Sequence, residues 1–308
     1  MQQLYDILIL GGGAAGYSAA LYAVRAGLTA LVIEKMTPGG QMATTDVIDN
    51  YPGYPDGIEG FALSMQMQKG AERFGAASEY AQVHSVELQS MIKTVQTDSG
   101  VYRGKTVIVA TGAAPKELGI EKEKELSGKG VHYCAHCDGR FYKDKTVVVV
   151  GGGNSAVSDA LYLAALAKKV YLVHRRDTLR ATKIYHEPLF QMPNVELVWN
   201  SVPSALLGDT KLTGIRVRDI NLQTEREIPC DGVFVSIGRS PETELLAGQV
   251  TLDENGYVMA DESTKTNLSG VYAAGDVRTK ALRQVITAAS DGAVAASMAE
   301  EYLWKMEM

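Results

Sequence analysis

YDILILGGGAAGYSAALYAVRAGLTALVIE, residues 5–34, decides the fold. The run YDILIL is a short apolar strand, and Gly11, Gly13 and Gly16 after it complete G-x-G-x-x-G. Small apolar residues then recur at helical spacing, and ALVIE forms a second strand that ends on Glu34, eighteen positions after Gly16. The first glycine permits a tight turn and the second lets the backbone approach a pyrophosphate. The third brings helix against strand, and the acid receives a ribose hydroxyl. Glycine-rich turns are common by themselves; strand, turn, helix, strand and terminal acid together specify a dinucleotide site.

The same syntax returns over residues 146–176. TVVVV is a buried strand, Gly151, Gly153 and Ala156 fill the glycine slots, NSAVSDALYLAALA is the helix and KVYLVHRR the second strand. His174 stands eighteen positions after Ala156, where the first unit carries its acid. Here the acid gives way to His174, Arg175 and Arg176, with Arg180 one turn on. Cations at this place cannot receive a 2′-hydroxyl but suit a 2′-phosphate, so the second site is expected to take NADP(H). Two dinucleotide sites of different chemistry imply a flavin at the first and a pyridine nucleotide at the second.

Two further strands end in glycine turns, TVIVATG at 106–112 and GVYAAGD at 270–276. A long helix of small residues is expected to follow from about Leu282 through Trp304. An aspartate just before a helix N-terminus can accept from sugar hydroxyls while the helix dipole faces an anionic group. Because GVYAAGD lies so far along the chain, the first domain must be discontinuous. The expected fold is therefore α/β, with two Rossmann-like dinucleotide-binding domains. Residues 1–113 and 240–308 form the FAD domain, and residues 114–239 are an inserted NADPH domain that carries a cysteine pair.

The bulk numbers agree. A chain of 308 residues with 31 glycines and 46% apolar side chains has room for two cores and many tight turns. Its net charge of −6 argues against nucleic acid or an anionic membrane as the main partner. The start MQQLYDILILGGG has no basic leader, and its apolar run stops too early for a signal peptide or a span. Three cysteines do not make a disulfide-stapled secreted domain, so a cytoplasmic location is expected.

Seven signatures in order resemble the low-molecular-weight, bacterial-type thioredoxin reductases over essentially the whole chain. They are GGGAAG, PGGQMATTDVIDNYPG, VATG, CAHCDG, GGGNSA, HRRDTLRA and GVYAAGDVRTKALRQVITAASDGAVAA. The resemblance implies a homodimer with one FAD and one redox-active cysteine pair per subunit, NADPH as reductant and thioredoxin as oxidant. It places FAD contacts at Gly11, Gly13, Ala14, Gly16, Glu34, Gly40, Gln41, Asn50, Gly112, Asp276, Arg283, Gln284 and Val285. It places NADPH contacts at Gly153, Asn154, Ser155, His174, Arg175, Arg176 and Arg180. Three positions depart from the family's usual pattern: His136 where threonine is more frequent, Asn154 where many relatives carry aspartate, and Arg140 where an aromatic is frequent.

The pair in YCAHCDGRF, residues 133–141, admits three chemistries. Zinc usually takes two well-separated ligand pairs, and no second C-x-x-C occurs; His132 and His136 could supplement the cysteines, but His136, between them, could hardly reach the same ion, so no metal is expected. A structural disulfide across two residues closes too small a loop to stabilise much. The redox reading is left, with electrons from the neighbouring nucleotide sites. By resemblance, Cys137 is the flavin-side sulfur, Cys134 attacks the disulfide of thioredoxin, and Asp138 protonates the leaving thiolate. His136 either stabilises a thiolate or points away. Cys230, in IPCDGVFVSIG, is expected to be an inert buried thiol on a strand. Competing functions are a flavin-dependent ferredoxin–NADP reductase, a peroxiredoxin reductase and a non-catalytic redox sensor. The C-x-x-C counts against the first. A peroxiredoxin reductase would usually carry an extra N-terminal thioredoxin-like domain, and a sensor would show no steady turnover.

Overall fold

The strand Leu4–Leu10, the helix Ala14–Arg25 and the fully buried strand Ala30–Glu34 form over the opening motif. These belong to a computed structural model that describes residues 3–45 and 47–307, with backbone alone at 44 and 307. The chain divides into two units, one running up to Ala114 and resuming at Ser240, the other Pro115–Arg239.

In the first unit the sheet runs Ala77–Tyr80, Ala30–Glu34, Leu4–Leu10, Val101–Val109, Lys93–Thr97, Val83–Glu87, and Val271–Ala273 also pairs with Val101–Val109. Its central strands are parallel and covered on both faces, which is why they read as unbroken apolar runs. Ile7 and Ile9 pack under Ala15, Ala19 and the long helix's Ala295, Ala296 and Ala299, while Leu8 and Leu10 face Val107, Val109 and Val271 on the other side. Leu10 pairs with Val109, and Val109 with Ala273. Three strands therefore end together, and Gly11, Gly112 and Asp276 come to one edge of the sheet, where open α/β sheets bind their ligands. The third glycine of the motif has a steric reason: a Cβ on Gly16 would stand 1.9 Å from the Gly11 carbonyl oxygen.

The second unit repeats the plan with a parallel sheet, in order Val195–Val198, Lys169–Val173, Thr146–Val150, Gly232–Val235, Val131–His132. The helix Asn154–Ala164 covers it, and an antiparallel layer of Ser201–Leu207, Gly214–Asp219 and Glu225–Pro229 stands beside it. The two crossings that join the units, Ala113–Pro115 and Arg239–Pro241, lie side by side as a two-stranded ribbon.

Two local expectations are corrected. The last helix begins at Val285 rather than near Leu282. Thr287 Oγ1 accepts from the Gln284 N–H at 3.1 Å and engages the Leu282 and Gln284 carbonyls, so the chain before Val285 is held as a turn. Cys230 lies between the strands Glu225–Pro229 and Gly232–Val235 rather than on one. It is 5% exposed, and burial pushes its thiol up to about 12. Among the described residues no helix is long and apolar enough to cross a membrane.

Candidate active site

Cys134 and Cys137 are joined as a disulfide with Cα atoms 5.3 Å apart. Cys134 is extended and caps the single-turn helix Ala135–Asp138, where its Sγ accepts from the Cys137 N–H at 3.2 Å. Both cysteines are partly exposed. The turn follows the strand Val131–His132, so the sheet of the second unit aims it. His136 is exposed and its ring sits 4.3 Å from that of Tyr162, tilted by 42°. Asp138 turns inward, with Oδ2 3.0 Å from His132 Nδ1. Among the described residues no group of three or more His, Cys, Asp and Glu is arranged to hold a metal.

A cavity of about 680 Å³ opens in the same unit, lined by Gly153, Asn154, Ser155, His174, Arg175 and Arg180, with Ser236 and Gly238 opposite. The structure thus brings together six of the seven residues expected there; Arg176 is exposed and outside the lining. The helix Asn154–Ala164 points its first N–H groups at this space; among the described residues no side chain caps it, and none lies within 4 Å of where a Cβ of Gly153 would be. That is an anion cradle. His174 is 6% exposed, and its Nε2 has no hydrogen-bond partner among the described residues. A Cβ on Gly152 would meet the imidazole at 2.3 Å, so only glycine lets the loop close over the ring. Burial, followed by the charges of Arg176, Arg175 and Arg180, holds His174 below the usual histidine range. A neutral imidazole, a bare helix N-terminus and two arginines in the lining fit a phosphorylated nucleotide.

The first unit offers a matching cradle. The helix Ala14–Arg25 starts from Gly13 with no side-chain cap and no acid in its first turn. Glu34 is 9% exposed, and its two oxygens accept from the Gly12 N–H at 2.7 Å and the Met36 N–H at 3.2 Å. The carboxylate therefore braces the glycine loop, with lone pairs to spare for a sugar hydroxyl. Gln41 donates to the Ala113 carbonyl, and Asn50 donates to Gln284 Oε1 at 2.9 Å. Arg283 lies over the Tyr257 ring at 3.9 Å and donates from Nη2 to the Arg278 carbonyl at 3.1 Å. Gly40 and Gly112 take left-handed turns, and Val285 opens the long helix. Open glycine loops, an uncapped helix and flanking amides fit an adenine dinucleotide such as FAD.

Sequence reasoning missed what holds the Gly275–Asp276 turn. Asp291 accepts from the Gly275 N–H (2.9 Å), from Arg278 (2.8 and 2.9 Å) and from Lys280 (2.8 Å). All three side chains are at least nine-tenths buried. Burial alone would raise the Asp291 carboxyl, but these hydrogen bonds outweigh it and hold it below the usual range. Asp291→Asn is expected to destabilise the fold by about 3–5 kcal/mol, because it strands two buried cations. The carboxyl binds its proton less readily folded than unfolded, so its contribution is complete above about pH 4 and is lost as the pH falls through the depressed folded value. Urea midpoints across this range should show an acid-side loss in the parent chain that is smaller in the variant. Equal slopes would refute the assignment. No pattern in ASDGA marks this residue beyond a charge on an otherwise small-residue helix face.

The model for the family described as "Pyridine nucleotide-disulphide oxidoreductase" matches residues 5–292. A thioredoxin reductase of Streptomyces clavuligerus is 47% identical, over 98% of this chain and 95% of its own length. One from Treponema pallidum is 44% identical over 98% of both chains. The crystal structure of thioredoxin reductase from Streptococcus pyogenes is 41% identical and superposes with a TM-score of 0.91, covering 99% of this chain and all of that one. With two nucleotide cradles and a disulfide turn on such a frame, the chain belongs to the pyridine nucleotide-disulphide oxidoreductase family and, within it, to the thioredoxin reductases.

Proposed function

We propose that this chain is a thioredoxin-disulfide reductase that carries two electrons from NADPH to the Cys134–Cys137 disulfide and from the resulting dithiol to oxidised thioredoxin. The observation that carries the reading is a partly exposed C-x-x-C disulfide in the same unit as an arginine-lined nucleotide cavity. Gly153, Asn154, Ser155, His174, Arg175, Arg176 and Arg180 would bind NADPH. Gly11, Gly13, Ala14, Gly16, Glu34, Gly40, Gln41, Asn50, Gly112, Asp276, Arg283, Gln284 and Val285 would bind FAD. When bound, FAD supplies a two-electron carrier between nicotinamide and disulfide.

The chain's own residues do the rest. Once the disulfide is reduced, the Cys137 N–H that reaches Cys134 Sγ favours a thiolate on Cys134. That thiolate attacks one sulfur of the thioredoxin disulfide; a mixed disulfide forms and the other thioredoxin sulfur leaves. Cys137 then attacks Cys134, which releases reduced thioredoxin and restores the Cys134–Cys137 bond. Asp138 gives a proton to a sulfur anion produced when the active-site disulfide opens. A homodimer in the cytoplasm completes the proposal, and sedimentation of the purified protein would test the dimer. The purified chain is expected to be yellow, to bleach on addition of NADPH and to regain colour on addition of oxidised thioredoxin. Colour that returns with air alone, and no faster with thioredoxin, would refute the reading.

A further inference from the structure

His132 has both ring nitrogens committed. Nδ1 stands 3.0 Å from Asp138 Oδ2, and Nε2 stands 2.6 Å from the Tyr142 hydroxyl. The residue is 8% exposed, at the end of the strand Val131–His132 and paired in register with Phe234. Its ring stacks on Phe234 at 5.3 Å and meets Tyr142 edge-on at 5.3 Å. An imidazole bonded at both ends and held between two aromatic rings keeps Nδ1 on the one carboxyl of the dithiol turn.

We propose that His132 is the proton-holding partner of Asp138, passing a proton from Nδ1 by way of the carboxylate to a cysteine sulfur. This deepens, and rests on, the reading of Asp138 as the proton donor. Opening the Cys134–Cys137 bond takes two electrons, which come from NADPH, and leaves two thiolates. The Nδ1–H of a His132 imidazolium then breaks, its proton passes by way of the Asp138 carboxylate, and an S–H forms, giving one thiol and one thiolate. His132 is left neutral and Asp138 ionised. Asp138 has an 18% exposed side chain, so solvent recharges the couple through it.

The need for a second group is chemical. A carboxyl alone is almost wholly ionised near neutral pH, whereas an imidazole changes charge between about pH 5 and 8. Tyr142 stays a neutral phenol beside them: burial, then the charges of Asp138, Asp231 and Cys230, push it up to about 12. Other titratable groups stand on the elements around the couple. Lys145 lies over the Tyr142 ring at 5.3 Å, and His136 and Arg140 are on the turn itself. Asp159 and Tyr162 are on the helix Asn154–Ala164 beside it, and Tyr133 next along the chain donates to Glu123 at 2.9 Å.

The test is the pH profile of thioredoxin reduction by the FAD-loaded protein and its variants, from about pH 5 to 9. Ferricyanide, a one-electron acceptor that draws on the flavin without the cysteines, reports loading and fold. His132→Asn keeps an N–H near Nδ1 but cannot carry a proton. It is expected to lower kcat with thioredoxin about tenfold or more at pH 8. It should also move the alkaline limb at least about one unit toward acid, with ferricyanide reduction retained. His132→Gln, whose amide reaches toward Tyr142 instead, stands in where the asparagine variant does not fold. A normal midpoint and kcat in these variants, with Asp138→Asn impaired, would overturn the role of His132 and leave Asp138 as the donor. A uniform loss that includes ferricyanide, at an unmoved midpoint, would make His132 merely structural and also overturn it. Undiminished thioredoxin reduction by Asp138→Asn would instead overturn the reading on which the proposal rests.

Discussion

Cys134→Ser is expected to reduce thioredoxin-dependent NADPH oxidation to background, a loss of at least about 10³-fold, as removal of a reaction's nucleophile generally does. Cys137→Ser should lose turnover as fully but fail differently. Cys134 would still attack thioredoxin, and with no neighbouring thiol to resolve it the mixed disulfide should accumulate and be visible on a non-reducing gel. The asymmetry rests on the roles proposed above, and the turn supports them: Cys134 Sγ receives the Cys137 N–H while Cys134 stands at the helix start. With Cys137 as the flavin-side sulfur of the proposal, Cys134→Ser should add a long-wavelength absorbance band that Cys137→Ser lacks. A mixed disulfide formed only by Cys134→Ser would reverse the two roles.

Replacing Arg175 and Arg180 together by alanine is expected to raise KM for NADPH about 10²-fold or more while moving KM for NADH only a few-fold. Each charge-assisted hydrogen bond to a phosphate is worth roughly 1.5–3 kcal/mol, and NADH has no 2′-phosphate to lose. These two arginines line the cavity, whereas Arg176 does not. Arg176→Ala alone should therefore cost less than either lining arginine, although the sequence treats Arg175 and Arg176 as equivalents. Equal losses for both nucleotides would refute the phosphate assignment, and a larger loss at Arg176 would refute the ranking.

That ranking shows where legibility ended. The offset of eighteen residues places the basic cluster at the end of the strand Lys169–Val173, because a glycine turn, a helix and a strand consume a set length of chain. Which arginine faces the ligand depends on how the backbone turns after His174, and no periodicity encodes a turn of that kind. Cys230 illustrates the same limit. Apolar neighbours on both sides suggested a strand, yet the chain bends between two strands of different sheets, and burial alone was legible.

Local order sufficed for much of this protein. Strand, glycine turn, helix and strand, written twice, settle the α/β class and both nucleotide cradles, since each step is dictated by contacts a few residues apart. The spacing of Cys134 and Cys137 likewise needs only one helical turn. Tertiary structure alone decided how the buried charges are satisfied. His132 meets Asp138 and Tyr142 through a short strand and the turn after it, and Asp291, on the long helix and sixteen residues beyond Gly275, reaches Gly275, Arg278 and Lys280. A histidine or aspartate in sequence carries no mark of its partner. The cost of burying a charge unpaired is settled only when folding brings the partner to it.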